Sequence, residues 1–188
     1  MTVMITGASG GLGRAFALDC AERGWDLLLT DINGAGLEKG KQGILRQYDI
    51  RAMTCPCDIT RDDEVDRLIG FARGNDISLD MLLNVAGLDN EGGFTKRDFG
   101  RIMAIVRLNI EATLRVTHRA LTLRRESGRF HIVVVPSLAS MYPIPLKATY
   151  AASKRFLLDF SLALGQELRN ENVSVLSLCP GGLATTPE

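Results

Sequence analysis

The sequence predicts an α/β fold, a doubly wound parallel sheet in three layers (α/β/α) forming a single domain. Three observations predict it. Short apolar runs alternate with helical patterns along the whole chain, as they do when strands and helices are laid down in turn. The runs are almost unbroken in apolar character, which suits strands covered on both faces. The length, 188 residues, suits one full core and is short for two.

"TVMIT" (residues 2–6) reads as the first strand. "GLGRAFALDCAERG" follows as a helix with Leu12, Ala15, Phe16 and Cys20 on one face, and Gly24 suits its C-terminal cap. "WDLLLTD" is a second strand ending at Asp31, followed by a glycine-rich turn and a helical stretch through Glu38 to Arg46. "RAMTCPCD" reads as a third strand ending at Asp58, and "DDEVDRLIGFAR" as a helix with Val65, Leu68, Ile69 and Phe71 apolar. "LDMLLNVAG" is a fourth strand stopped by Gly87, and one long helix is expected from about Phe99 to Arg125. "FHIVVVPS" is a fifth strand, a loop with Pro143 and Pro145 leads to a helix from about Thr149 to Arg169, and "VSVLSLCPGG" is a sixth strand.

Composition narrows the function classes. Apolar content of 46% and charged content of 23% are ordinary for a soluble globular protein. Basic and acidic residues balance at 22 each, so charge gives no reason to expect nucleic acid or an anionic membrane as partner. The basic run "LRRESGR" reads as a solvated helix end and loop. No apolar stretch approaches the roughly 18 residues that span a bilayer, and no charged leader precedes a hydrophobic run. Cys55 and Cys57 are too close for a comfortable bridge, and His118 and His131 lie far from them in sequence. Reduced, buried thiols and no metal are therefore expected of Cys20, Cys55, Cys57 and Cys179. A cytoplasmic enzyme fits this balance.

In a sheet of this kind ligands bind at the carboxyl ends of the strands. The first strand ends in "TGASGGLGR", where Gly7, Gly11 and Gly13 permit a tight turn and close approach of backbone to a pyrophosphate at a helix N-terminus. The spacing is not G-x-G-x-x-G, and no G-K-[ST] follows, which disfavours a nucleotide triphosphatase. Asp31 ends the second strand, where a carboxylate accepts hydrogen bonds from an adenosine ribose and repels a 2′-phosphate. Ile32 follows it, and Ala8, Ser9 and Gly10 are uncharged, so no cation stands ready for that phosphate. In "ATYAASKRF", Tyr150 and Lys154 are four apart and share a helix face. A free tyrosine ionises only near about pH 10, and an adjacent ammonium favours the phenolate.

With these motifs in register, the chain resembles the classical short-chain dehydrogenase/reductase family, whose fold is Rossmann-like. The glycine pattern T-G-x-x-x-G-x-G falls on Thr6, Gly7, Gly11 and Gly13, the adenine-contacting aspartate on Asp58 in "CDIT", and N-N-A-G on "NVAG", Asn84 to Gly87. The helical asparagine falls on Asn109, the serine thirteen residues before the tyrosine on Ser137, Y-x-x-x-K on Tyr150 and Lys154, and P-G-x-x-x-T on Pro180, Gly181 and Thr185. The resemblance implies Asn109, Ser137, Tyr150 and Lys154 as the catalytic set, with Asn109 holding a water that relays protons from Lys154. It adds Ser9, Leu12, Ile59, Ala86 and Leu183 to the cofactor contacts. It also implies an NAD(H)-dependent oxidoreductase acting on a small-molecule alcohol or ketone, with NAD(H) preferred over NADP(H), as a homodimer or homotetramer. The apolar loop "MYPIPLK" leans the substrate toward a hydrophobic ketone, a steroid-like compound or a 3-oxoacyl thioester.

The alternatives are a non-catalytic NAD-binding scaffold on the same fold and, against the glycine spacing, a nucleotide-sugar epimerase. Val85 departs from the family pattern, and loss of a structural hydrogen bond is expected there, with Ala86 and Gly87 still lining the cofactor. Family members carry a substrate-covering segment and a seventh strand after P-G. The polypeptide is therefore expected to continue past Glu188, with a lid hinged at Thr185.

Overall fold

In a computed structural model, which describes residues 1–89 and 91–182, one sheet carries the molecule. Among the described residues its six strands are β1 (Thr2–Thr6), β2 (Asp26–Asp31), β3 (Ala52–Pro56), β4 (Met81–Asn84), β5 (Phe130–Val134) and β6 (Val173–Ser177). Their order is β3-β2-β1-β4-β5-β6, and every pairing is parallel. The order reverses between β1 and β4, which opens a crevice at the carboxyl ends of those two strands.

The period-2 alternation of the strands divides the core in two. Val3, Ile5, Leu27 and Leu29 face one layer, with α1 (Gly11–Glu22) and α2 (Gly34–Leu45). Met4, Leu28, Leu82 and Ile132 face the other, which is built from α3 (Asp62–Gly74), α4 (Phe99–Ile105), α5 (Thr113–Ala120) and α6 (Ala148–Glu167). Caps set several helix ends. The Asn33 side chain accepts from Gly36 N, Asp98 accepts from Arg101 N, and Gly24, at φ +71°, ends α1 as expected.

The inward face of α1 differs from the sequence expectation. Gly13, Ala17, Cys20 and Ala21 are buried, Phe16 is half-buried, and Ala15 is exposed. The helix rotates so that its small residues lie on the sheet at close range, and Leu12 turns toward the crevice. The third strand is shorter than expected, ending at Pro56, which leaves Cys57 and Asp58 in the loop above it. The long helix expected from Phe99 changes hydrogen-bonding pattern midway: a π-helical stretch, Val106–Ala112, separates α4 from α5.

Cys20, Cys55 and Cys57 are buried free thiols, and Cys179 is half-buried. Burial pushes Cys20 up to about 11 and Cys57 up to about 12. On α6, Leu157 is core, whereas Phe156 is 40% exposed and stacks on Phe160 at 6.2 Å. No described helix is long and apolar enough to cross a membrane.

Candidate active site

The crevice is a cleft of about 540 Å³ lined by Gly7, Ser9, Gly11, Leu12, Gly13, Asp31, Asp58, Ile59, Ala86 and Gly87, among others. Ten of the positions expected to touch a cofactor are thus brought together from four strand ends. The glycine loop makes its floor. A Cβ on Gly13 would lie 2.1 Å from Gly7 O, so only glycine lets the first turn of α1 close on the strand end. Gly10 precedes α1 without any side-chain cap, so the first N–H groups of the helix face the cleft for an anionic ligand.

Asp31 is fixed by backbone. Its two carboxylate oxygens accept from Ser9 N at 3.1 Å and Asn33 N at 3.0 Å. The charge is held at the rim with Ile32 beside it, 73% exposed. Asp58 shapes its own loop, where one carboxylate oxygen accepts from both Thr60 N and Thr60 Oγ1.

The end of β4 is held from below. Thr6 Oγ1, buried, accepts from Val85 N at 3.0 Å and Ala86 N at 3.2 Å. The backbone at Val85 is therefore held by Thr6, and the Val85 side chain packs against the core on the α1 side. Asn84 lies behind the cleft, its amide donating to Thr117 Oγ1 at 2.9 Å. Thr6 and Thr117 were not foreseen as supports. Buried threonines at a strand end and on an inward helix face are the signal that could have found them.

Asn109 sits in the π-helical stretch, fully buried. Its Oδ1 accepts from Leu88 N at 2.8 Å, and its Nδ2 donates to Leu88 O at 3.0 Å and to Ser153 Oγ at 3.0 Å. One side chain thereby clamps the loop after β4 to α6. Non-α turns of this kind recur at functional sites because they turn a side chain out of the regular spiral.

Tyr150 and Lys154 lie on the first turns of α6. Lys154 Nζ is 5.7 Å from the centre of the Tyr150 ring and donates to Val135 O at 3.0 Å. The lysine is 5% exposed. Burial pulls it down to about 8, opposed by the negative charge of Asp89. A Cβ on Gly87 would lie 3.2 Å from this Nζ and 3.3 Å from Asn109 Oδ1, so a side chain there would crowd both polar atoms. Ser137 begins a short 3-10 turn, its Oγ accepting from Ala139 N at 3.1 Å, which leaves its proton free to donate. Pro180 O accepts from Leu138 N at 2.9 Å, tying the segment with Pro180 and Gly181 to the Ser137 loop. Leu183 and Thr185 lie outside the described residues.

The fold and this arrangement define the class. The chain belongs to the short-chain dehydrogenase family, whose sequence model matches residues 1–187. It is similar to a very-long-chain 3-oxoacyl-CoA reductase of Laccaria bicolor, 33% identical over 175 residues, which are 92% of this chain and 52% of that protein. It is also similar to a 7beta-hydroxysteroid dehydrogenase of Clostridium sardiniense, 27% identical over 97% of this chain and 69% of that one. Among solved structures, the 3-ketoacyl-(acyl-carrier-protein) reductase from Brucella melitensis complexed with NADH superposes with a TM-score of 0.88. Its sequence is 26% identical, over 96% of this chain and 74% of that one. The chain spans about half the length of the 3-oxoacyl-CoA reductases it matches.

Proposed function

We propose that this chain is the dinucleotide-binding and catalytic part of an NAD(H)-dependent oxidoreductase that interconverts an alcohol and a carbonyl, with Tyr150 as general acid/base. The observation that carries the reading is Lys154, a buried ammonium beside the Tyr150 ring and next to Gly87 in the wall of the cleft. A buried cation is destabilising unless something uses it, and here the phenol ring and the cleft are its surroundings.

The cleft fits a nicotinamide dinucleotide. The glycine turn admits a pyrophosphate against the uncapped start of α1, Asp31 suits ribose hydroxyls and disfavours a 2′-phosphate, and Asp58 and Ile59 suit the adenine. Pro180 and Gly181, tied to the Ser137 loop, suit the nicotinamide side. When bound, the cofactor supplies the hydride acceptor or donor.

The remaining work falls to side chains of this chain. Ser137 Oγ donates to the substrate oxygen and orients it. Tyr150 Oη gives that oxygen its proton in reduction and takes it in oxidation. The Lys154 ammonium lies beside the phenol ring, where it attracts the negative charge that develops on the phenol oxygen. Asn109 holds the loop that lines the cleft, and Oδ1 keeps a lone pair for a water between Lys154 and solvent.

Substrate class follows from the loop after β5. Leu138, Met141, Tyr142 and Leu146 are all exposed there, which suits an apolar ketone or a 3-oxoacyl thioester better than a sugar.

The test follows reduced-nicotinamide absorbance over a panel of ketones, 3-oxoacyl thioesters and alcohols, with Tyr150→Phe beside the unmodified chain. Turnover should fall at least about a hundredfold in the variant, with cofactor binding within a few-fold. Cofactor binding without turnover across the panel would replace this reading with a non-catalytic NAD-binding role.

A further inference from the structure

Tyr150 is flanked by a second cation for which the roles above leave no use. Lys147, in the residue before α6, places its Nζ 5.6 Å from the centre of the Tyr150 ring, as close as Lys154 at 5.7 Å. Lys147 is itself held by the loop after β4: its Nζ donates to Asp89 Oδ2 at 2.5 Å and lies 3.5 Å from Glu91 Oε2. Asp89 directly follows Leu88, the residue clamped by Asn109. Two successive residues of one loop thus bind the helix segment that bears Asn109 and the start of the helix that bears Tyr150.

We propose that Lys147, anchored by Asp89 and Glu91, is a positioning residue for Tyr150 that braces the start of α6 against the cleft-lining loop and sets the charge beside the phenol ring. The proposal rests on the oxidoreductase reading for its meaning in catalysis, while its electrostatic content stands without any substrate.

The charged and titratable groups at the ring are Lys147 from the segment before α6 and Lys154 on α6, with Asp89 and Glu91 from the loop after β4 paired to Lys147 and the Cys179 thiol after β6 near Lys154. Their responses to pH differ. The Asp89 hydrogen bond is the main cause raising Lys147 above the usual lysine value, so this cation persists where Lys154, pulled down by burial to about 8, gives up its proton. The side chain of Lys147 is 26% exposed, so part of its field is screened by salt. The two carboxylates act in the opposite sense, and Asp89 holds the proton on Lys154. Removing Lys147 leaves two anions facing the pair. Removing Asp89 leaves an excess of cations.

The two halves of one ion pair therefore give opposite signs. Because both lysines face the Tyr150 ring, the observable belongs to the group as a whole. It is the pH midpoint of phenolate absorbance, with the Tyr150→Phe protein as blank to remove Tyr48 and Tyr142. Lys147→Met should move the midpoint up by about half a pH unit or more, and Asp89→Asn should move it down. Lys147→Arg should restore the unmodified value, and raising the salt should shrink both shifts. The pH profile of turnover should move the same way in each variant. Midpoints that move together in Lys147→Met and Asp89→Asn, or that move in neither, would overturn the proposal and leave the ion pair as a brace alone. Opposite shifts in phenolate absorbance with no turnover on any substrate would overturn the oxidoreductase reading and leave the charge arrangement standing.

Discussion

Lys154→Met is expected to stabilise the cofactor-free protein at neutral pH. The usual lysine value is 10.5, and burial takes Lys154 to about 8. At about 1.4 kcal/mol per pH unit, holding that proton in the folded state is unfavourable by roughly 3 kcal/mol. Methionine fills similar space without the charge, but leaves Val135 O without its partner, which offsets about 1 kcal/mol. The variant should then be more stable by about 2 kcal/mol near neutral pH. The sign reverses with alkali. Between about 8 and 10.5 the unfolded chain keeps the proton and the folded one does not, so the unmodified protein gains stability relative to the variant as pH rises through that window. Beyond it the penalty is gone and only the lost hydrogen bond remains, so the variant should be the less stable by about 1 kcal/mol. Urea unfolding of both proteins without cofactor, at neutral pH and above the window, measures this directly, because other titrating groups cancel in the difference. A difference that is the same at both pH values, or a variant already less stable at neutral pH, would refute the account of a buried, strained cation.

Asp31→Ala with Ile32→Arg should shift preference from NAD(H) toward NADP(H) by at least about tenfold, since it removes a fixed carboxylate and adds a guanidinium for the 2′-phosphate; tighter NADP(H) binding by the unmodified chain sinks the argument. Gly13→Ala should abolish dinucleotide binding in equilibrium dialysis, because its methyl group would collide with Gly7 O; binding within a few-fold of normal would show that the turn relaxes. We also expect a homodimer or homotetramer joined through α6, where Phe156 and Leu162 are 40% and 59% exposed, and a clean monomer by light scattering at about micromolar concentration counts against it.

The sheet was legible because its strands are short, apolar and punctuated by turn residues, and because the glycine turn, Asp31, Asp58, "NVAG", Ser137 and Pro180–Gly181 all follow strand ends. The face of α1 was set slightly off because spacing alone grouped Leu12, Ala15 and Phe16 with Cys20, and of these only Cys20 is fully buried. Close packing against a sheet selects the small residues Gly13 and Ala17 instead. The π-helical stretch carries no sequence signal of its own, since "VRLNIEA" reads equally well as α-helix. The water-bridging role expected of Asn109 could be inferred from its motif, but its grip on Leu88 and Ser153 is a tertiary fact between segments far apart in the chain. Lys147 was within reach: it stands three residues before Tyr150, a spacing that faces it as well as Lys154's does. What hid it was its partner, since nothing local links Asp89 to a lysine 58 positions later.

The wide turn around Asn109 also acts as a phase setter. Each residue added to or removed from a helix rotates everything beyond it by about 100°. Downstream of residues 106–112, α5 presents Thr117 to Asn84, Arg115 to Asp62 and Arg119 to Asp66. Those three contacts share one angular setting, and that setting holds only with all seven residues of the stretch in place. A single deletion there, harmless in length, would swing three partners away at once and expose the buried face of α5. The stretch is thus a place where substitutions are local and deletions are not. Sequence variation among relatives should respect its length more strictly than its composition.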